Sequence, residues 1–339
     1  MPQIEIEEGL GSIVGASESM RNLYRQVEQA GPSAASVLIV GETGTGKELV
    51  ARALHRLSAR KSRVYVAVNC AAMPEGLVES ELFGHEKGAF TGASTRSAGY
   101  FEQANRGSLF LDEISAMPMS QQAKLLRALQ EGAVRRVGSG TDMRVDVRVI
   151  AAMNSDPAKA MKDGRLRSDL FYRLSVFTIE VPPLRERPGD ALLLARHFAS
   201  EFARAQDRPP LRIDPEASRA LAGYPWPGNV RELRNVIERG VILAKDDRIT
   251  LDELPAALSR KSLAVEENED PAAPTAPAVD VVVPGMTVEE VKRRLIVRTL
   301  EGTGSISEAA RQLGISSRTI YNKMREWNLS PESFSNGRV

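Results

Sequence analysis

Two short stretches hold most of the residues that could do chemistry. The first is Gly41-Glu42-Thr43-Gly44-Thr45-Gly46-Lys47-Glu48. G-x-x-x-x-G-K is the pattern of a phosphate-binding loop when it lies between a strand and a helix. Glycines let backbone N–H groups wrap a phosphate, and the following helix N-terminus adds positive potential. Lys47 would neutralise the β- and γ-phosphates of a nucleotide. Glu48 stands where Ser or Thr usually offers a hydroxyl to magnesium, so the metal's ligands must come from elsewhere or be waters. The second stretch is Asp112-Glu113, two acids closing the apolar run 107–111. Asp112 would hold Mg2+ through water, and Glu113 would polarise the attacking water.

Other polar residues are less decided by their spacing. Asn69 ends an apolar strand and could either contact a catalytic carboxylate or cap the chain that follows. Asn154, at another strand end, is placed to orient water near a γ-phosphate. Arg231 lies in the first turn of a helix, where a cation opposes the dipole. That suits an anionic ligand or a salt bridge. Within 165–173, Arg167 and Arg173 are six apart, on different but adjoining faces of a helix, and belong either to a solvated basic face or to a site on a neighbouring chain. Position alone favours the first. Val14 precedes the first helix and would pack on an adenine or in the core.

The elements that must carry these residues follow from periodicity. Apolar, β-branched runs at 36–40, 64–69, 107–111, 147–152 and 176–181 read as five buried strands. Helical spacing recurs between them: Met20, Leu23, Tyr24 and Val27 fall on one face of 17–30, and 49–54 and 120–130 read likewise. Strands alternating with helices predict an α/β fold with a doubly wound parallel sheet. From Asp190 the pattern is helical only, over 192–206, 215–223 and 230–243. The segment 133–145 reads as a hairpin.

Composition bounds the class. The 339 residues carry a net charge of +1 and are 42% apolar, so the total charge names no partner. A single Cys, Cys70, excludes an intrachain disulfide and fits a reducing, cytoplasmic setting. No apolar run reaches membrane-spanning length. The expected organisation is an arm at 1–12, an α/β region at 13–183, a helical region at 184–258, a Pro- and Ala-rich linker at 259–286, and a small all-α region at 287–330.

Two further segments stand out. Gly88-Ala89-Phe90-Thr91-Gly92-Ala93 interrupts a helical pattern with glycines and sets an aromatic at a loop tip, which suits a contact made and broken on demand. Residues 305–313 and 316–327, joined by a Gly-containing turn, have helix-turn-helix geometry. Ser316, Ser317, Arg318, Thr319, Tyr321, Asn322 and Lys323 could reach phosphates and base edges of DNA.

GAFTGA within ELFGHEKGAFTGA is nearly private to one family. Over 10–258 and 287–327 the chain resembles the sigma-54-dependent transcriptional activators, or bacterial enhancer-binding proteins. The resemblance implies an AAA+ ATPase with a helical lid and a Fis-type helix-turn-helix. It implies ATP and Mg2+ as cofactors and sigma-54, RNA polymerase holoenzyme and enhancer DNA as partners. It also implies self-assembly into a ring, a hexamer, with a dimer as an inactive form. On the same ground Gly88–Ala93 would touch sigma-54, and 134–145 would form a second substrate-facing loop. Asn69 would restrain Glu113, Asn154 would be sensor I and Arg231, within WPGNVREL, sensor II. Arg167 and Arg173 would be arginine fingers entering the neighbour's site. Most members begin with a receiver or sensory domain, and none fits the first dozen residues; the resemblance therefore implies control in trans or a truncated chain. An AAA+ machine acting on another protein is opposed by the GAFTGA motif. A DNA-binding regulator with a dead ATPase is opposed by intact Lys47, Asp112 and Glu113.

Overall fold

The computed structural model describes residues 13–74, 76–258, 293–297, 299–300, 305–313 and 315–327. The expected arm at 1–12, the linker at 259–286 and the start of the helix after it lie outside the described residues. The chain divides into two compact units, residues 1–269 and 270–339.

In the first unit, β1 (Val37–Val40), β2 (Tyr65–Asn69), β3 (Ser108–Asp112), β4 (Arg148–Met153) and β5 (Phe177–Glu180) form one parallel sheet in the order β2-β3-β4-β1-β5. Parallel neighbours need crossover segments, and helices on the two faces provide them. That burial explains the uninterrupted apolar strands: β4 has no exposed residue. Register aligns the C-terminal ends, with Val40 beside Met153 and Glu180, and Asn69 beside Asp112. Strand order reverses at β1, so the loop after β1 opens at the crevice where ligands of such sheets bind.

Two helices flank β1 in sequence, α1 (Glu18–Ala30) and α2 (Lys47–Arg56). The α1 stripe Met20, Leu23, Val27 and Ala30 is buried. Both helices end on one residue of β4. Arg148, 1% exposed, donates from Nη1 to Gly31 O at 2.7 Å and Leu54 O at 3.2 Å, and from Nη2 to Ala30 O at 2.9 Å. A delocalised cation thus meets the negative ends of two helix dipoles.

Helices Asp190–Ala205, Pro215–Gly223 and Asn229–Leu243 build the lid around Phe198, Leu221, Trp226, Leu233 and Ile237. Asp190 ties this bundle to the start of α1: its carboxylate accepts from Ala16 N, Ser17 N and Ser17 Oγ at 2.8, 3.0 and 2.9 Å.

In the second unit, Ile306–Leu313 and Ser317–Glu326 pack through Ala309, Ala310, Ile320 and Met324. The two alanines allow close approach of the helices. Ser316 caps the second helix, accepting Thr319 N at 3.1 Å.

Two expectations shift in detail. The hairpin pairs only Ala133–Val134 with Met143–Arg144, because Val137 turns away to the loop before GAFTGA. There Val137 N donates to Gly84 O at 2.9 Å and Glu86 N to Val137 O at 3.0 Å. The basic helix begins late, at Ser168, leaving Arg167 as its N-cap. Gly164, with φ +69°, turns the chain just before it.

Candidate nucleotide site

Gly44 and Gly46 adopt φ of +81° and +102°, the left-handed turns that the loop after β1 needs. At Gly44 a Cβ would also lie 2.3 Å from Gly228 O, so lid and loop approach within backbone distance. Lys47 opens α2, and its Nζ donates to Gly41 O at 2.9 Å and to Glu42 O at 3.3 Å. Across the crevice, Glu113 Oε1 lies 3.9 Å from Lys47 Nζ.

The electrostatics of this pair are those of a water-poor site. Burial lowers the Lys47 pKa, with Glu113 and Asp112 opposing that shift. Burial likewise raises the Glu113 pKa, against the pull of Lys47 and of the Asn154 backbone N–H. Glu113 has φ +54°, an uncommon conformation for a non-glycine and one that recurs at functional sites. Asp112 is half-buried, and its Oδ1 accepts Glu113 N at 3.1 Å.

Asp112 is the carboxylate that this site would offer a divalent ion, with Glu113 turned to Lys47. Among the described residues no three His, Cys, Asp or Glu are grouped to hold a metal. Glu48 is turned outward and pairs with Arg52 at 2.8 Å. Such a donor set fits Mg2+, which keeps several waters and takes one or two carboxylates plus nucleotide phosphates. Asp112 would hold it, and the ion would supply charge for the phosphates.

The remaining predicted residues fall into two groups. Brought to the crevice are Asn154 and Arg231, both exposed, with the Arg231 charge felt at Lys47 and Glu113. Val14 is half-buried and packs on the lid core beside the crevice. Asn69 is the N-cap of a short turn: its Oδ1 accepts Ala71 N at 2.9 Å, so its side chain meets backbone and not Glu113. Arg167 and Arg173 point elsewhere in this chain. Arg167 forks onto Asp169 at 3.0 and 2.8 Å, and Arg173 Nη2 donates to Leu129 O at 2.8 Å.

The GAFTGA segment is a tight loop. Gly88 and Gly92 have φ of +82° and +106°, and Gly88 N donates to Ala93 O at 2.8 Å. Ala93 is buried, while Phe90 is exposed and meets the His85 ring edge-on at 5.1 Å. Arg136, from the hairpin, pairs with Glu86 at 2.9 Å and Glu102 at 2.6 Å, which fastens the hairpin to the base of this loop.

In the second unit Arg318, Tyr321 and Asn322 are exposed on one helix. Ser316 and Thr319 share a hydroxyl contact of 2.8 Å as part of the cap, and Lys323 pairs with Glu326 at 3.0 Å.

Several residues at the site escape a sequence reading. Arg185, Arg187 and Asn229 all bind the phosphate loop from the lid side. Gln122 is fully buried; its Oε1 accepts Arg167 N at 2.9 Å, and its Nε2 donates to Met117 O and Arg165 O at 2.8 Å each. The one available signal was an Arg-Glu-Arg run between Pro183 and Pro188.

Residues 13–180 match the Sigma-54 interaction domain, 185–271 the AAA+ ATPase lid domain and 287–327 the bacterial regulatory protein, Fis family. The transcriptional regulatory protein ZraR of Salmonella typhimurium is 47% identical over 313 residues, 92% of this chain and 68% of that protein. The formate hydrogenlyase transcriptional activator FhlA of Escherichia coli is 47% identical over 324 residues, 94% of this chain. The chain spans 45% of the length of FhlA. NtrX from Brucella abortus, solved in complex with ATP, superposes with a TM-score of 0.69 at 32% identity, covering 94% of this chain and 70% of that one. No described helix is long and apolar enough to cross a membrane. With a phosphate loop, paired acids, lid and helix-turn-helix in one chain, it belongs to the sigma-54-dependent transcriptional activators, a family of AAA+ ATPases with a Fis-type DNA-binding domain.

Proposed function

We propose that this chain is an ATP-driven remodeler of the sigma-54 RNA polymerase closed complex, working from enhancer DNA in the cytoplasm. Residues 13–183 and 184–258 act as the motor, 259–286 as a tether and 287–330 as the DNA anchor. Lys47 and the loop Gly41–Glu48 hold the triphosphate, Asp112 holds Mg2+ through water, and Glu113 takes the proton of the attacking water. Asn154 and Arg231 sense the γ-phosphate, and Val14 borders the base. Asn69 leaves its cap to restrain Glu113 in one nucleotide state. Copies of the chain assemble as a hexameric ring from a dimer, where Arg167 and Arg173 leave their present partners and enter the adjacent site.

The observation that carries this reading is the exposed Phe90–Thr91 tip on a glycine-bounded loop. It holds no group suited to phosphate or metal chemistry. Phe90 offers apolar area, and Thr91 a hydroxyl and a methyl, for contact with sigma-54. The test is Thr91→Ala, with Phe90→Ala beside it, assayed on one preparation for phosphate release and for open-complex formation. ATP turnover should stay near normal while promoter opening is lost. Loss of both would make the segment part of the ATPase itself. Normal opening would place the output in 134–145.

A further inference from the structure

The outer side of the phosphate loop is held by residues of the lid. Thr43 O accepts from Asn229 Nδ2 at 3.1 Å, Gly44 O from the Arg231 backbone N–H at 3.2 Å, and Thr45 O from Arg187 Nη2 at 3.1 Å. Glu42 adds a side-chain grip. Its carboxylate accepts from Arg185 Nη1 and Nη2 at 2.8 and 2.6 Å and from Asn229 Nδ2 at 3.1 Å. Asn229 is fully buried with φ +53°, and its Oδ1 is spent on Leu184 N at 2.8 Å. Its amide therefore has one orientation that satisfies all its neighbours.

Peptide planarity gives these bonds a consequence at the phosphate. In a trans peptide the C=O and the following N–H point opposite ways. Holding Thr43 O and Thr45 O toward the lid turns the N–H groups of Gly44 and Gly46 away from it. Those are donors that a phosphate nest requires.

We propose that Glu42, Arg185 and Asn229 form a latch by which the lid sets the conformation of the phosphate loop. They are positioning residues: the lid's placement and nucleotide affinity then form one coupled equilibrium, each biasing the other. The inference rests on the ATP-binding reading above and is independent of sigma-54.

The test uses the full chain, with Arg185→Ala, Glu42→Gln and the double variant, and a titration with fluorescent ATP beside steady-state turnover. The Glu42–Arg185 pair is exposed, so each single change should weaken ATP binding and raise KM by about fivefold. For Arg185→Ala the kcat value should move by less than about twofold, and the double variant should bind ATP no worse than the weaker-binding single. Arg185→Lys keeps the charge without the fork and should recover part of the affinity. Unchanged affinity in both singles, or effects that multiply in the double, would overturn the latch. So would a fall in kcat and melting temperature with KM unmoved, which would reduce the contacts to fold support. A parent chain that binds no ATP would instead overturn the ATP-binding reading.

Discussion

Lys47 Nζ and Glu113 Oε1 stand 3.9 Å apart across the crevice, both largely shielded from water. Each is pushed toward its neutral form by burial and toward its charged form by the other. A triphosphate entering between them would draw Lys47 onto its oxygens and leave Glu113 free to take a proton.

Glu113→Gln should therefore bind ATP and fail to turn it over, by roughly 10²- to 10⁴-fold for loss of a general base. Lys47→Ala should lose binding itself. The check is nucleotide retention against phosphate release; normal hydrolysis by Glu113→Gln would assign the base elsewhere.

The same burial predicts the acid limb of turnover. As the proposed base, Glu113 would act as its carboxylate, and burial raises its pKa above 4.5, so the proton comes off at higher pH than from an ordinary Glu. Activity should fall, as pH drops, at a pH above that ordinary value. A pH–kcat profile whose acid limb lies at or below 4.5 would count against it.

Arg173 donates to Leu129 O and is otherwise exposed, so Arg173→Ala should leave the fold stable. Turnover should drop by roughly 10³-fold if it serves the adjacent site, as finger arginines do. Mixing this variant with Lys47→Ala should restore some hydrolysis, since one intact site can form between the two. No recovery at any ratio would remove action in trans.

Gly138 sits at φ +80°, and a Cβ there would lie 2.9 Å from the Ala89 Cβ. Gly138→Ala should cost about 1–2 kcal/mol in backbone strain alone and displace the GAFTGA loop. Urea unfolding measures the first; promoter opening at unchanged ATP turnover measures the second.

Much of this architecture could be read from residue order, because it rests on local signals. A strand, a glycine turn and a helix place Lys47 by themselves, and five apolar runs suffice for a parallel sheet. Asn69 shows where local signals divide. Its position fits both a cap and a switch, and the bond to Ala71 N appears only with coordinates. The hairpin is shorter than its apolar pattern suggests because Val137 bonds to the backbone of Gly84 and Glu86 instead, while Arg136 pairs with Glu86, 50 positions away. The lid's hold on the phosphate loop spans more than 140 residues between Arg185 and Glu42, and no periodicity encodes such a pairing.

Arg318 is exposed on the second helix of the helix-turn-helix and should act on DNA only. Arg318→Ala is expected to weaken enhancer binding about tenfold, within the 1–3 kcal/mol of one specific base contact, at constant ATP turnover. An unchanged gel shift at physiological salt would strike it from the contacts.

Arg148 satisfies backbone carbonyls at the ends of α1 and α2, and no acid is among its hydrogen-bond acceptors. Bonds to main-chain oxygen are blind to the side chain attached. Ala30 and Leu54 could change among apolar types without disturbing this junction, whereas loss of the arginine would leave three buried carbonyls without its donors. In related chains the expected mark of the junction is then a retained cation inside a hydrophobic strand. A search for paired substitutions would pass over it, since nothing co-varies with a peptide group.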